Sequence, residues 1–439
     1  MGKLIFGTDG IRTIYGNFPL DDESLFNFGR SLVEKFNTKK ELNILIGRDT
    51  RLSGKLIESE LVKGLSDNNV KIILLGIVPT PVVSFLTKKL KADLGIVITA
   101  SHNPPQYNGL KFFNSEGYKL SNEEELEIEE IFFSKSFSNS QNKSIIQEKF
   151  NLKNDYVEFV KSFSMNLSGL RIVIDCANGA AYKIAPKVFS ELGAEVITLY
   201  SGPDGTNINQ SCGALFPEKI QNSVLKYKAD LGICFDGDAD RLIMCDEKGN
   251  LLDGDKILAI IAKDFHNSKK LINSTLVTTV MSNNGLHKYI QGLGLKILLT
   301  EIGDHNVIKM MQENNCLLGG EQSGHVIVRP YTTTGDGIIS ALQILNIVKK
   351  NNKPLSYFSE PVELFPQVLV NVEVKNKIPF KEIPNFLNLK DSIEKKINCR
   401  IFIRYSGTEN KLRIMLEGNN QKEINYYAEK LANHVKNNI

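Results

Sequence analysis

The sequence predicts an α/β protein: three similar α/β domains with mixed sheets, then a smaller C-terminal α+β domain. Three observations lead there. A length of 439 residues corresponds to roughly three domains. One rhythm, in which an apolar run, a polar or glycine-containing loop, a helical stretch and a second apolar run follow each other, occurs three times. The last part of the chain leaves that rhythm and alternates as short strands.

Taken in order, the repeats are NILIGRDTRLSGKLIESELVKGLSDNNVKIILLG from Asn43, LRIVIDCANGAAYKIAPKVFSELGAEVITLYS from Leu170 and STLVTTVMSNNGLHKYIQGLGLKILLT from Ser274. Each reads as strand, loop, helix, strand. In the second, Ile172 to Ile174 is a β-branched run, Ala185, Val188, Phe189 and Leu192 follow at helical spacing, and Gly193 closes the helix before Val196 and Ile197. Because loops at the carboxyl ends of such strands collect ligand groups, those near Arg48, Ala177 and Ser282 are expected to face functional space. From about Phe365, VLVNVEV and then IFIRYSGTENKLRIMLEG predict three strands, the last two joined by a polar loop. Composition shifts place the domains at 1–150, 151–253, 254–364 and 365–439.

Composition excludes several classes. Hydrophobic residues at 42%, charged residues at 23% and only 14 prolines are ordinary for a folded chain. Lys plus Arg at 53 against Asp plus Glu at 50 leaves +3, too little for a nucleic-acid binder that neutralises many phosphates. The start lacks an apolar signal core and has Phe6 where lipidation needs Ser or Thr. The run Ile72 to Leu86, broken by Pro79 and Pro81, is shorter than the ~20 residues of a membrane span. The expectation is a cytoplasmic protein with neither nucleic-acid nor membrane partners. Six cysteines without a CxxC pair fit reduced, core-filling thiols.

Four loops carry candidate chemistry. In TASHNPPQYNGLKFF, Ser101 follows the run Leu94 to Ile98, and prolines 104 and 105 stiffen the turn, which predicts an accessible hydroxyl. Lys111 could return to the same cleft as a cation or proton donor, although alone it reads as a solvated strand-end lysine. In ADLGICFDGDADRLIMCDEKG, Asp236, Asp238 and Asp240 at i, i+2 and i+4 would project three carboxylates to one side of an extended loop. Three such charges need a cation, and hard oxygen ligands suit Mg²⁺. A calcium EF-hand fails because Arg241 stands where the sharp turn requires glycine. In LGGEQSGHVIV, Glu321, Ser323 and His325 are spaced by twos, and the loop can offer a carboxylate and a hydroxyl to sugar hydroxyls. Finally, Arg404, Ser406, Gly407 and Thr408, with Arg413 on the next strand, make a phosphate cradle of guanidinium, hydroxyl and backbone N–H groups.

In order and separation these motifs resemble one family across nearly the whole chain, the α-D-phosphohexomutases. The matching segments are FGTDGIR at 6–12, GRDTRLSG at 47–54, ITASHNP at 98–104, DGDADR at 236–241, GEQSGH at 320–325 and RYSGTE at 404–409. The resemblance implies domains set around a central cleft, and a phosphoryl group moved between O6 and O1 of a sugar phosphate through a 1,6-bisphosphate. It also implies Ser101 as a phosphoserine required for activity, and one Mg²⁺ per active site held by Asp236, Asp238, Asp240 and the Ser101 phosphate. Arg241 and Lys111 would adjoin the transferred group, and Lys111, His325 or Arg12 would move the hydroxyl proton. Glu321 and Ser323 would contact the sugar, and Arg404, Ser406, Gly407, Thr408 and Arg413 the distal phosphate. The GEQSGH form is typical of members acting on glucosamine phosphate; members acting on glucose or mannose phosphates are the alternative. Thr13, Asn410, CGALFPE at 212–218 and His305 depart from the family pattern. A Mg²⁺-dependent phosphatase and a non-catalytic sugar-phosphate sensor are the rival readings. The intact serine and acid triad weigh against the sensor, and the lack of an obvious water-activating base against the phosphatase.

Overall fold

A computed structural model describes residues 5–7, 9–36, 41–66, 69–135, 137, 144–406 and 410–438. The first sheet has β1 (Ile11–Ile14), β2 (Leu42–Arg48), β3 (Val70–Ile77), β4 (Leu94–Ile98), β5 (Tyr107–Asn114) and β6 (Ile145–Glu148), in the order β1-β5-β4-β2-β3-β6. The second has β7 (Arg171–Asp175), β8 (Glu195–Leu199), β9 (Leu231–Phe235), β10 (Leu242–Asp246) and β11 (Leu251–Leu252), in the order β11-β10-β9-β7-β8. The third has β12 (Thr275–Thr279), β13 (Lys296–Thr300), β14 (Leu318–Gly320) and β15 (Val326–Val328), in the order β13-β12-β14-β15.

All three sheets share a plan. A parallel pair joined through a helix (β2–β3, β7–β8, β12–β13) is followed by a third parallel strand, which turns back in an antiparallel hairpin (β4–β5, β9–β10, β14–β15). Each hairpin loop thus leaves the carboxyl end of a parallel strand, where such folds gather ligand groups. Central strands β4 and β9 are buried throughout, which explains their unbroken apolar sequences. Helix Gly54–Leu65 covers the first sheet through Ile57, Leu61 and Leu65. It approaches helix Asp22–Phe36 so closely that a Cβ on Gly64 would lie 2.0 Å from the Phe26 carbonyl oxygen. Helix Gly337–Asn351 is buried through nearly its whole length. Asp336 caps it by accepting from Ile339 N–H, and it also takes two bonds from the Tyr156 hydroxyl at 2.7 and 2.9 Å.

The chain divides into two compact units, Met1–Val280 with Ile290–Pro361, and Met281–Tyr289 with Val362–Ile439. The second unit contains the antiparallel sheet β16 (Gln367–Glu373), β18 (Lys411–Glu417) and β17 (Arg400–Tyr405), in that spatial order. Helix Gln421–Lys436 covers it with Ile424, Leu431 and Val435. The short segment 281–289 is tied into this unit. Asn283 exchanges two 2.9 Å bonds with the Phe365 backbone, Arg400 Nη2 donates to Ser282 O at 2.8 Å, and Asn284 N–H donates to the buried Glu417 carboxylate. Among the described residues no helix is long and apolar enough to cross a membrane. Five cysteines are buried and Cys399 is half-buried, all of them free thiols.

Candidate active site

The β4–β5 loop holds Ser101 in a left-handed backbone conformation, φ +49°, which costs a non-glycine residue about 1–2 kcal/mol. Hydrogen bonds on both sides hold it there. Ser101 N–H donates to Thr99 Oγ1 at 2.9 Å, and Ser101 O accepts from Arg51 Nη2 at 2.9 Å and Asn209 Nδ2 at 2.8 Å. The hydroxyl points to the neighbouring β9–β10 loop and donates to Asp236 Oδ2 at 2.6 Å. Contrary to the expectation of an accessible serine, Ser101 is 0% exposed. Its proline-stiffened loop is drawn inward by the carbonyl bonds and lies against Gly237, where a Cβ would meet Ser101 O at 2.5 Å.

The aspartates correct the sequence reading in a second respect. They sit in a tight turn, with Ala239 at φ +58°, and not on an extended loop. The turn still brings one ligand oxygen from each of Asp236, Asp238 and Asp240 to within 4.8 Å of the others, all buried. Lys111, buried on β5, is no solvated strand-end lysine: its ammonium donates to Asp238 Oδ2 at 2.8 Å and Asp240 Oδ2 at 2.6 Å. Burial alone would lower its pKa, but Asp238, Asp240 and Asp9 raise it well above the ordinary value. Burial pushes the Asp236 carboxyl well up, helped by the charges of Asp240 and Asp238. Burial acts the same way on Asp240, yet Lys111 and His325 hold that carboxyl well below the usual range. Asp238 Oδ1 and Asp240 Oδ1 are buried with no hydrogen-bond partner. Hard, anionic, unsatisfied oxygens at this spacing fit a divalent cation of the Mg²⁺ type.

Other expected residues gather around this cluster. His325 is buried, with Nδ1 3.8 Å from Asp240 Oδ2 and Nε2 3.4 Å from Asp304 Oδ2. Burial disfavours its charge, but the two carboxylates raise its pKa, whereas Gly335 N–H, 2.9 Å from Nε2, favours the neutral ring. Arg12 pairs with Asp9 and reaches Asn103 Oδ1 at 3.5 Å. Arg241 donates its backbone N–H to Asp236 Oδ1 at 3.2 Å. In the third hairpin loop Glu321 accepts from Gly303 N–H at 3.1 Å, and Ser323 is exposed, with its hydroxyl 3.5 Å from Glu321 Oε2. Beside Ser101, burial and then the Arg241 and Arg12 charges press the pKa of His102 down to about 2, so its ring is neutral.

The second unit carries the remaining candidates. Arg404 on β17 stands directly opposite Arg413 on β18, both half-buried. Ser406 is buried, its backbone N–H bonded to Lys411 O and its carbonyl to Lys377 Nζ. Gly407 and Thr408 lie outside the described residues.

Comparison with known proteins decides the family. Residues 3–139, 154–249 and 253–365 match the phosphoglucomutase/phosphomannomutase alpha/beta/alpha domains I, II and III, and residues 369–434 match the C-terminal domain. Over its full length the chain is 46% identical to phosphoglucosamine mutase of Geotalea uraniireducens, covering 98% of that protein. The chain belongs to the phosphoglucomutase/phosphomannomutase family. The fold agrees. A family protein from Burkholderia thailandensis superposes with TM-score 0.81 at 22% identity, covering 98% of this chain and 97% of that one. Aspergillus fumigatus N-acetylphosphoglucosamine mutase, solved in complex with GlcNAc-6P and magnesium, gives 0.66 at 19% identity, covering 99% and 96%.

In this phosphohexomutase the sequence reading left several residues of the site without a role. Lys119 pairs with both Asp9 and Asp304, joining the first and third domains beside His325. Thr80, first residue of helix Thr80–Lys89, donates its hydroxyl to Asp238 Oδ2 at 2.5 Å and its N–H to Asp238 O at 3.0 Å. Arg51, Asp49 and Asn209 secure the Ser101 loop. GRDTR, FGTDG and VPTP are dense in loop-forming residues, a signal that marks them as turns but not which loop they hold.

Proposed function

We propose that this isomerase is a phosphoglucosamine mutase, interconverting glucosamine 6-phosphate and glucosamine 1-phosphate through phosphorylated Ser101 and the 1,6-bisphosphate. The observation that carries the reading is the 2.6 Å bond from Ser101 Oγ to Asp236 Oδ2, which sets a nucleophilic hydroxyl on the buried acid triad. The sugar rests on the full-length relatives, which bear the name phosphoglucosamine mutase.

In the forward direction O1 of the 6-phosphate attacks the phosphorus on Ser101. The P–Oγ bond breaks, the P–O1 bond forms, and the O1 proton passes to the protein. The bisphosphate then reverses end for end. Ser101 Oγ takes the phosphoryl from O6, and its own proton goes to O6. A loose transition state of this kind needs fixed positive charge and alignment more than covalent help. Lys111 supplies that charge from a buried position bonded to Asp238 and Asp240, and Arg241, half-buried with its backbone N–H on Asp236, brings a second cation. Mg²⁺, held by Asp236, Asp238, Asp240 and a phosphoryl oxygen on Ser101, would add charge neutralisation at the moving group. Lys111, His325 and Arg12 are the cluster members that can carry the proton. Glu321 and Ser323 read sugar hydroxyls, and Arg404, Ser406, Gly407, Thr408 and Arg413 take the phosphate that is not transferred.

The test uses protein phosphorylated on Ser101 with a radiolabel. Mixed with glucosamine 6-phosphate and Mg²⁺, it should pass the label to the sugar, giving bisphosphate and then glucosamine 1-phosphate. Release of free phosphate at one rate with or without sugar would instead mark a phosphatase, and retention of the label a binding protein.

A further inference from the structure

Arg51 touches none of the reacting atoms, yet it is among the largest fully buried side chains of the described protein, 1% exposed. Its guanidinium is spent on a single loop. Nε donates to Asp49 Oδ2 at 2.8 Å, Nη1 to Pro104 O at 2.5 Å and Tyr107 O at 2.8 Å, and Nη2 to Ser101 O and Asn103 O, both at 2.9 Å. Asp49 also accepts from Thr99 Oγ1 at 2.6 Å, and that oxygen accepts the Ser101 N–H. The peptide groups before and after Ser101 are thus fixed from one ion pair.

A buried ion pair is weak evidence for stability, because the desolvation of both charges offsets their attraction. Four carbonyls of residues 101–107 converging on one guanidinium point instead to geometry. Only a planar fork with five N–H donors spans them; lysine keeps the charge facing Asp49 but offers one nitrogen.

We propose that Arg51, held by Asp49, is a positioning residue for phosphoryl transfer, keeping Ser101 in its left-handed conformation so that Oγ faces Asp236. The proposal rests on reading Ser101 as the phosphoryl carrier. Asn209, which donates to Ser101 O at 2.8 Å and Asn103 O at 3.1 Å, reinforces the hold from the second domain.

The test follows label from radiolabelled glucose 1,6-bisphosphate onto Ser101 of unphosphorylated full-length protein with Mg²⁺ in a quenched-flow single turnover. KM for glucosamine 6-phosphate and thermal melting are measured on the same preparations. For Arg51→Lys, uptake should slow about a hundredfold, the scale of a small misplacement of reacting atoms, while KM stays near wild type. A purely structural Arg51 would lower the melting temperature but leave uptake per folded molecule unchanged, and that result overturns the proposal. If Arg51→Lys does not fold, Thr99→Val, which cuts only the link from Asp49 to Ser101 N–H, decides by the same criterion. Slower uptake at unchanged KM supports positioning, and the wild-type rate refutes it. Wild-type protein that takes no label on Ser101 overturns the mutase reading and this proposal together, an outcome distinct from the failure of Arg51 alone.

Discussion

The Ser101 loop and the Arg404–Arg413 strand pair, both proposed to hold phosphoryl groups, are built differently. Around Ser101 the acid triad and Lys111 are buried, Lys111 bridges two aspartates, and the serine backbone is bonded on both sides. On the β17–β18 ladder two half-buried arginines of the same sign face each other. Under the proposed mechanism the difference follows from what each phosphoryl group does. Where charge changes hands, the surrounding dipoles must be fixed in advance in a water-poor site. Where a phosphate enters and leaves unchanged, attraction suffices, and its contribution is the same in ground and transition states.

The largest effect is expected at Ser101. Ser101→Ala should reduce mutase turnover by at least about 10⁴-fold, the scale of removing a nucleophile, and intact mass should show no phosphoryl group on the variant. Full activity in Ser101→Ala would end the assignment. A smaller effect is expected from Thr80→Val, which removes the hydroxyl bonded to Asp238 Oδ2 at 2.5 Å. Mn²⁺ binding, read by electron paramagnetic resonance, should weaken about tenfold to a hundredfold, as for other partners that orient a metal ligand; unchanged affinity would separate Thr80 from the metal site. At the strand pair, Arg404→Ala should raise KM for glucosamine 6-phosphate about tenfold, the worth of a charge-assisted bond, with little change in kcat. An altered kcat at constant KM would show that the cradle acts in the transition state after all. The mildest test is salt. Raising ionic strength should increase KM a few-fold by screening the partly exposed arginines and leave kcat, which depends on buried charges, nearly constant. A kcat that fell in parallel would contradict the contrast.

Much of this site is legible along the chain, because loops that carry chemistry are dense in residues a strand or helix would not tolerate. ASHNPP and DGDADR stand out between apolar runs, and each lies in a hairpin at the end of a buried strand. The fold class is legible for a similar reason: each repeat switches from strand to helix spacing and back. Other features depend on tertiary placement. Nothing local to Arg51 shows that its donors meet carbonyls some fifty residues away. The burial of Ser101 follows from Arg51, Asn209 and Asp236 converging on it. Alternation in DGDADR suggests an extended loop, but Ala239 at φ +58° makes a turn, and the carboxylates meet through the turn. Lys119 joins Asp9 and Asp304 across two domains, a meeting that sequence separation conceals.

The segment 281–289 makes the C-terminal unit discontinuous along the gene. Its side chains and backbone are bound to Phe365, Arg400 and Glu417, while the rest of helix Asn284–Gly292 continues into the other unit. A stop codon after Pro361 would therefore leave Ser282, Asn283 and Asn284 without the groups that satisfy them, and a gene for 362–439 alone would leave Glu417 without the Asn284 N–H. A shuffled enzyme that borrows only the C-terminal domain of a relative would therefore need to borrow residues 281–289 with it.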